Sequence, residues 1–253
     1  MIKTVAFIFA RGGSKGLPKK NILKIGGIPL IAHSIKLALS MSEIDAVYVS
    51  TDCAEIASIA NEFGANVIKR PPELATDVSP EWLSWQHAIN FVETELGSFD
   101  RFLSLPATAP LRSGIDVHNC LEALSPGIDM VITVTPAHRN PWFNMVSLAS
   151  DRQASLLINE GSFTSRQHSP KCFDMTTVAY VARPDFILEH SNLWDGTVIG
   201  VQVPQERSID IDNELDFAIA SFLMSKYKSS LLLLLSLTGL LAKILLLLAQ
   251  LDA

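Results

Sequence analysis

Cysteine is scarce in this 253-residue chain: Cys53, Cys120 and Cys172 stand far apart, with no CxxC pair among them. That excludes a disulfide framework and a cysteine-based zinc site, and it suits a reducing compartment. A cationic surplus is also missing. The 20 Lys and Arg face 26 Asp and Glu, a formal net charge of −6, which argues against nucleic acid as the main partner. Any bound anion must then be held by a local basic pocket rather than by the overall field. The six histidines (His33, His87, His118, His138, His168 and His190) show no metal-ligand spacing and read as structural or exposed. No long apolar run opens the chain. Val5 to Ala10 is followed at once by Arg11, too short and wrongly flanked for a signal peptide, and it reads as a first buried strand. A cytoplasmic setting is the simple expectation. No internal repeat is present.

What the chain has is apolar mass in short runs. Hydrophobic residues make up 48% and charged residues 18%, enough for a sizeable core, and the length suits one α/β domain with an appendage. Strands are expected at Val5–Ala10, Ala46–Thr51, Arg101–Leu105, Met130–Thr135, Thr177–Ala182 and Thr197–Val203. Helices are expected at Pro29–Leu39, which opens on proline, and at Ala54–Phe63, Pro80–Leu96, Asp116–Leu124 and Asn213–Met224. In the last, Leu215, Ala218, Ile219, Phe222 and Leu223 fall on one helical stripe, expected to face the core. Alternation of this kind makes a largely parallel sheet covered on both faces. The stretch 137–175 breaks the rhythm, with Pro141, turn residues around Ser150–Asp151 and Asn159–Gly161, and Pro170. It reads as an inserted hairpin or arm that can reach over a site or a partner subunit. The organisation expected is therefore a catalytic-type domain over 1–228, carrying that arm, and a separate tail over 229–253.

The tail is nearly continuous leucine from Leu231 to Leu251, broken by Ser236, Thr238, Gly239, Lys243 and Gln250. Its length would span a bilayer, and Lys226 and Lys228 flank it. Lys243 near its middle opposes insertion by roughly 2.5–3.5 kcal/mol, less if it snorkels. Three readings stay open: a membrane anchor, a helix buried in an oligomer, or an artefact of cloning or reading frame.

Chemistry concentrates just after the first strand, in Ala10-Arg11-Gly12-Gly13-Ser14-Lys15-Gly16-Leu17-Pro18-Lys19-Lys20-Asn21. Glycines bring backbone N–H groups close to a ligand, and Arg11, Lys15, Lys19 and Lys20 add positive charge, which together make a cradle for a polyphosphate. The segment is neither GxGxxG nor GxxxxGK[ST], so dinucleotide and Walker A readings lack their signatures. Later, Asp210 and Asp212 alternate with Ile209 and Ile211, which puts both carboxylates on one side. Paired hard oxygens suit Mg²⁺. The competing reading makes Asp212 the N-cap of the helix that follows.

These motifs, in this order, resemble the acylneuraminate cytidylyltransferases, the CMP-sialic acid synthetase family. The likeness is carried by ARGGSKGLPKKN, by Ser50-Thr51-Asp52, by Arg70-Pro71-Pro72-Glu73-Leu74-Ala75-Thr76-Asp77, by Thr108-Ala109-Pro110-Leu111-Arg112 and by Ser208-Ile209-Asp210-Ile211-Asp212, across roughly residues 4 to 225. It implies a Rossmann-like three-layer α/β/α nucleotidyltransferase fold with a mostly parallel sheet and an inserted dimerisation arm. It implies transfer of CMP from CTP to the anomeric hydroxyl of an acidic nine-carbon 2-keto sugar, with Mg²⁺ or Mn²⁺, in a homodimer. Residue by residue, it places the nucleotide on Ala10, Arg11, Gly12, Gly13, Ser14, Lys20, Asn21 and Arg70, and the sugar on Thr108, Arg166, Gln167 and Tyr180. Arg11, Lys20 and Asp210 carry the catalytic roles, and Asp210 with Asp212 the metal.

The chain departs from the family pattern in its sugar-facing parts. Leu105-Pro106-Ala107-Thr108 lacks a family glutamine, Thr176-Thr177 stands where Asn-Gly is common, and Asn140-Pro141-Trp142-Phe143 lacks a lysine. A modified acceptor, such as legionaminic acid or another nonulosonate, is the expectation. The alternatives are a CMP-Kdo-type enzyme, a nucleotide-dependent oxidoreductase, or a non-catalytic, membrane-tethered nucleotide-binding protein.

Overall fold

The computed structural model describes residues 2–161 and 163–227. In chain order it builds β1 (Thr4–Phe9), a small hairpin of β2 (Lys24–Ile25) and β3 (Ile28–Pro29), α1 (Leu30–Ser40), β4 (Ala46–Thr51), α2 (Ala54–Glu62) and β5 (Asn66–Lys69). Then come α3 (Glu81–Leu96), β6 (Arg101–Ser104), α4 (Gly114–Ala123), β7 (Met130–Pro136), β8 (Val146–Leu148), β9 (Ala154–Leu156), β10 (Phe173–Ala182), α5 (Pro184–Glu189) and β11 (Val198–Gln202). A further helix, α6, covers 214–227.

Seven strands form the central sheet in the order β11-β7-β10-β6-β1-β4-β5. Every pairing is parallel except those of β10, which runs antiparallel between β6 and β7. Period two in β1 divides the core. Ala6 and Ile8 point to a cluster under α1, α2 and α4, with Ile31, Ile35, Ile56, Val117 and Leu121. Val5 and Phe7 point the other way, to Trp82, Trp85, Ile89, Phe102 and Phe186 under α3 and α5. This is the three-layer α/β/α arrangement, with a mostly parallel sheet wet on neither face.

Beside β1 the direction of winding reverses. The chain lays β4 and β5 on one side of β1, then crosses by α3 to lay β6 on the other. Ligands of open α/β sheets settle at such a switch, beyond the carboxyl ends of the strands.

Within the 137–175 stretch lies the β8–β9 hairpin, its strands wholly exposed and its turn closed by hydrogen bonds between Ala149, Arg152 and Gln153. The far boundary of the stretch differs from expectation, because β10 begins at Phe173 and absorbs its last residues. Among the described residues no helix is long and apolar enough to cross a membrane. The leucine-rich tail lies outside them.

One packing expectation is overturned. On α6, Leu215, Ile219 and Phe222 are exposed (68%, 40% and 67%). The buried side is formed by Ala220 with Phe217, Leu223 and Met224, seated on Leu17, Ile25, Leu30, Leu111 and Ile211. Gly26 lets Met224 in: its φ is +60°, and a Cβ there would meet the Met224 sulfur at 2.4 Å. Only Leu223 of the expected stripe contributes to that contact.

Candidate active site

At the switch lies a cavity of about 320 Å³, lined among others by Phe9, Arg11, Arg70, Thr108, Thr177 and Tyr180. Four of the residues singled out from sequence therefore meet at one place: Arg11 after β1, Arg70 after β5, Thr108 after β6 and Tyr180 on β10. Asp210 lines an adjoining recess of about 240 Å³, which shares Thr177 with the cavity.

The loop after β1 is braced from below. Gly12 N–H donates to the Asp52 carboxylate (2.9 Å), and the Asn21 amide donates to the Arg11 carbonyl (3.1 Å). Asn21 is buried and lines, with Gly12 and Ser14, a small separate recess of about 60 Å³ that also includes Arg11. Its position is thus that of a brace for Arg11. Ala10 is buried, its N–H bonded to the Ser50 carbonyl, and Gly13 has open space around its α-carbon. The cations are already countered. Arg11 pairs with Asp77 at 2.6 Å, Lys15 contacts the same carboxylate, and Lys20 pairs with Asp212 at 2.9 Å. Hydrogen bonds from Lys15 and Arg11 hold the Asp77 carboxyl below its usual range. An incoming polyphosphate would replace these carboxylates.

Arg70 is 6% exposed; its Nε and Nη2 donate to the Ser50 hydroxyl (3.1 Å) and carbonyl (2.9 Å), and its guanidinium lies 5.6 Å from the Phe9 ring centre. The result is a fixed planar cation on an aromatic wall. Burial lowers its pKa, which no other charge nearby fully offsets.

Around Asp210 the alternation read from sequence holds. Ile211 is fully buried and Ile209 packs in the same cluster, while the Asp212 side chain is 70% exposed. The N-cap reading of Asp212 fails: Asn213 caps α6, accepting from Asp216 N–H (3.1 Å), while the Asp216 carboxylate accepts from Asp212 N–H and Asn213 N–H. Burial chiefly, and then Asp212, pushes the Asp210 carboxyl upward, and its Oδ1 is buried with no hydrogen-bond partner. Among the described residues no group of three or more acidic, His or Cys side chains is placed to enclose a metal ion. A buried, unsatisfied carboxylate oxygen with a second carboxylate beside it still fits Mg²⁺, which takes one or two carboxylates and completes its shell with waters and substrate phosphates.

Arg166 and Gln167 are not brought to this place. They line a different cavity of about 480 Å³ between the end of β7 and the arm, with Arg139 and Lys171, and Arg166 donates to the Ala137 carbonyl.

Around the cavity, Glu81 and Arg207 had no signal in the sequence, and the fold gives a place to Thr177 and Arg112, both in segments singled out there. A bulge in β10 between Thr176 and Tyr180, pinned by the Thr133 hydroxyl, brings Thr177 to the boundary of cavity and recess. Arg112 is buried, bonded to the Ser34 hydroxyl (2.6 Å), the Thr177 carbonyl (3.2 Å) and the Pro106 carbonyl, and burial lowers its pKa to about 9. Arg207 makes two bonds to the buried Asp116 (2.8 and 2.9 Å), anchoring the chain just before Asp210. Glu81, the first residue of α3, also lines the cavity. Its outer edge stays wet, but protein packs around the carboxyl and pushes its pKa up. Tyr180 is pushed to about 12 by burial and by Glu81 and Asp210.

Comparison with known proteins identifies the family. A family model described as cytidylyltransferase matches residues 5–83. A post-translational flagellin modification protein B from Campylobacter coli is 36% identical over 230 residues, 89% of this chain and 97% of that protein. A CMP-N,N'-diacetyllegionaminic acid synthase from Campylobacter jejuni is 38% identical over 229 residues, 89% of this chain and 96% of its own. An N-acylneuraminate cytidylyltransferase B from Danio rerio is 31% identical over 85% of this chain but only 50% of its own length. The chain belongs to the acylneuraminate cytidylyltransferase family of enzymes. In fold it is also like a CMP:2-keto-3-deoxy-manno-octonic acid synthetase complexed with CTP (TM-score 0.66, 18% identity, 89% of this chain and 99% of that one).

Proposed function

We propose that this enzyme transfers CMP from CTP to the anomeric hydroxyl of a nonulosonic acid of the legionaminic type, releasing pyrophosphate. The observation that carries the reading is the meeting of Arg11, Arg70, Thr108 and Tyr180 on one cavity at the sheet's switch point, with Asp210 alongside. The legionaminic assignment rests on the Campylobacter jejuni relative and on the missing glutamine and added Thr177 in the wall.

In this reading the sugar hydroxyl oxygen bonds to the α-phosphorus as the α–β bridging P–O bond breaks, and the hydroxyl proton passes to solvent water. Gly12, Gly13 and Ser14 line the triphosphate, and Arg11 and Lys20 leave their carboxylates to meet the charge that grows on the leaving pyrophosphate. Arg70 and Asn21 belong to the nucleoside side, Asn21 by bracing the loop. Asp210 and Asp212 would hold Mg²⁺ or Mn²⁺, which supplies Lewis-acid neutralisation of phosphate charge. We assign the enzyme to the cytoplasm, where CTP is at hand.

Arg166 and Gln167 fit the sugar only if the arm serves a second copy. We assign 1–228 as the transferase unit, 137–175 as an arm that crosses a homodimer, and 229–253 as a tail without a part in the chemistry. The exposed Met145, Val146, Leu148 and Leu157 around the hairpin support such an interface. Mixing Arg166→Ala with Asp210→Asn protein tests it: a shared site regains activity in mixed dimers, and an unshared one does not.

The reaction is tested by pyrophosphate release from each NTP with a panel of nonulosonic acids and Kdo, with and without Mg²⁺. Release with CTP and a nonulosonate, abolished by chelator, is expected. Preference for Kdo, or release independent of the sugar, would overturn it.

A further inference from the structure

Among the described residues, two acidic side chains line the cavity at the switch point, Asp77 and Glu81. Asp77 is taken by Arg11 and Lys15. Glu81 has no ion pair among the described residues, although it lies within the electrostatic reach of Arg70. One turn along α3, Trp85 is 4% exposed, and its indole N–H points at the Glu81 carboxyl without reaching full hydrogen-bond geometry with any acceptor. Here, then, are an uncommitted carboxyl and a clamped guanidinium on one nucleotide-sized cavity, with the Phe9 ring as a wall.

A guanidinium offers donors only. Donors suit O2 of cytosine and of uracil alike, so an Arg70 that bonds to O2 does not choose between the two bases by that contact. The bases differ at N3, an acceptor in cytosine and an N–H in uracil, and at the exocyclic position, where cytosine carries an N–H₂ donor and uracil an acceptor. A carboxylate beside the guanidinium accepts from the amine and repels the carbonyl. We propose that Glu81 receives the cytosine amine and that the Arg70–Glu81 pair sets the preference for CTP over UTP. This rests on the reading of the enzyme as a CTP-dependent transferase.

The test is Glu81→Gln, whose amide can present either its oxygen or its N–H₂. The ratio of kcat/KM for CTP over UTP should fall by roughly 10–100-fold, the range that one well-placed side chain contributes to base discrimination. Calorimetry with CMP and UMP should narrow in the same sense without any sugar present, and Glu81→Ala should weaken CMP without strengthening UMP. A Glu81→Gln enzyme that loses turnover with an unchanged CTP/UTP ratio overturns the assignment and marks Glu81 as a proton carrier instead. Equal binding of CMP and UMP by the wild type also overturns it. A wild type that prefers CMP yet transfers to no nonulosonic acid leaves Glu81 standing and sinks only the proposed reaction.

Discussion

The Lys20 ammonium lies 2.9 Å from the Asp212 carboxylate, joining residues 192 positions apart in the chain. The lysine side chain is largely buried, at 13% exposure, while its partner is 70% exposed. The glycine-rich loop after β1 and the Asp210–Asp212 segment are therefore held in register. Removing the ammonium should act on charge that develops during transfer. Lys20→Ala is expected to lower kcat by about 10²–10³-fold, with a smaller loss of CTP affinity. Steady-state kinetics beside CTP titration checks this, and an unchanged kcat with a raised KM would leave Lys20 with uniform binding only.

Asp210→Asn should abolish most turnover at limiting Mg²⁺, and the variant should melt higher than the wild type at neutral pH. Burial raises the Asp210 pKa in the folded state. Between the ordinary carboxyl pKa and that raised value the folded state binds more protons than the unfolded one, so stability falls as pH rises through this window. Its contribution is whole below the unfolded pKa and lost above the folded one. Asparagine has no such loss, and its advantage should fade as pH falls below the usual Asp range. Thermal melts of both proteins across that range read the difference; parallel curves would refute it.

Gly16→Ala should impair catalysis more than folding. A Cβ at Gly16 would stand 2.4 Å from the Asp212 carbonyl oxygen, so the glycine-rich loop and the Asp210–Asp212 segment must separate. Displacements near 1 Å cost on the order of 10²-fold in rate. Circular dichroism close to wild type with kcat/KM reduced to that extent is expected. Full activity would mean that the two segments adjust freely.

Deleting Ser230–Ala253 should leave transfer per folded molecule essentially intact and raise solubility, since the described residues that line the cavity run from Phe9 to Tyr180. The exposed Leu215, Ile219 and Phe222 add an apolar strip just before the deletion. If activity is lost together with the dimer on a sizing column, the tail is structural.

Much of the fold was legible because buried strands such as β1 and β4 are unbroken apolar runs. β5 was not: only four residues long, it ends in exposed Asn66 and Lys69. Helix α5 has six residues, too few for a periodic pattern. On α6 two apolar stripes compete, and periodicity has no means of telling which one meets Gly26 and Ile211. In the site, contiguous motifs were readable, Arg112 among them, whereas Glu81 and Arg207 gain meaning only when the sheet folds distant segments together.

Arg112 bears on any attempt to retarget the enzyme. Its guanidinium ties the Pro106 and Thr177 carbonyls, one from each wall of the cavity, to a single buried cation. Grafting the 105–112 segment from a relative without its β10 bulge would strand that cation against a mismatched carbonyl. Acceptor preference should therefore transplant as a two-segment cassette, with the arginine kept as its rivet.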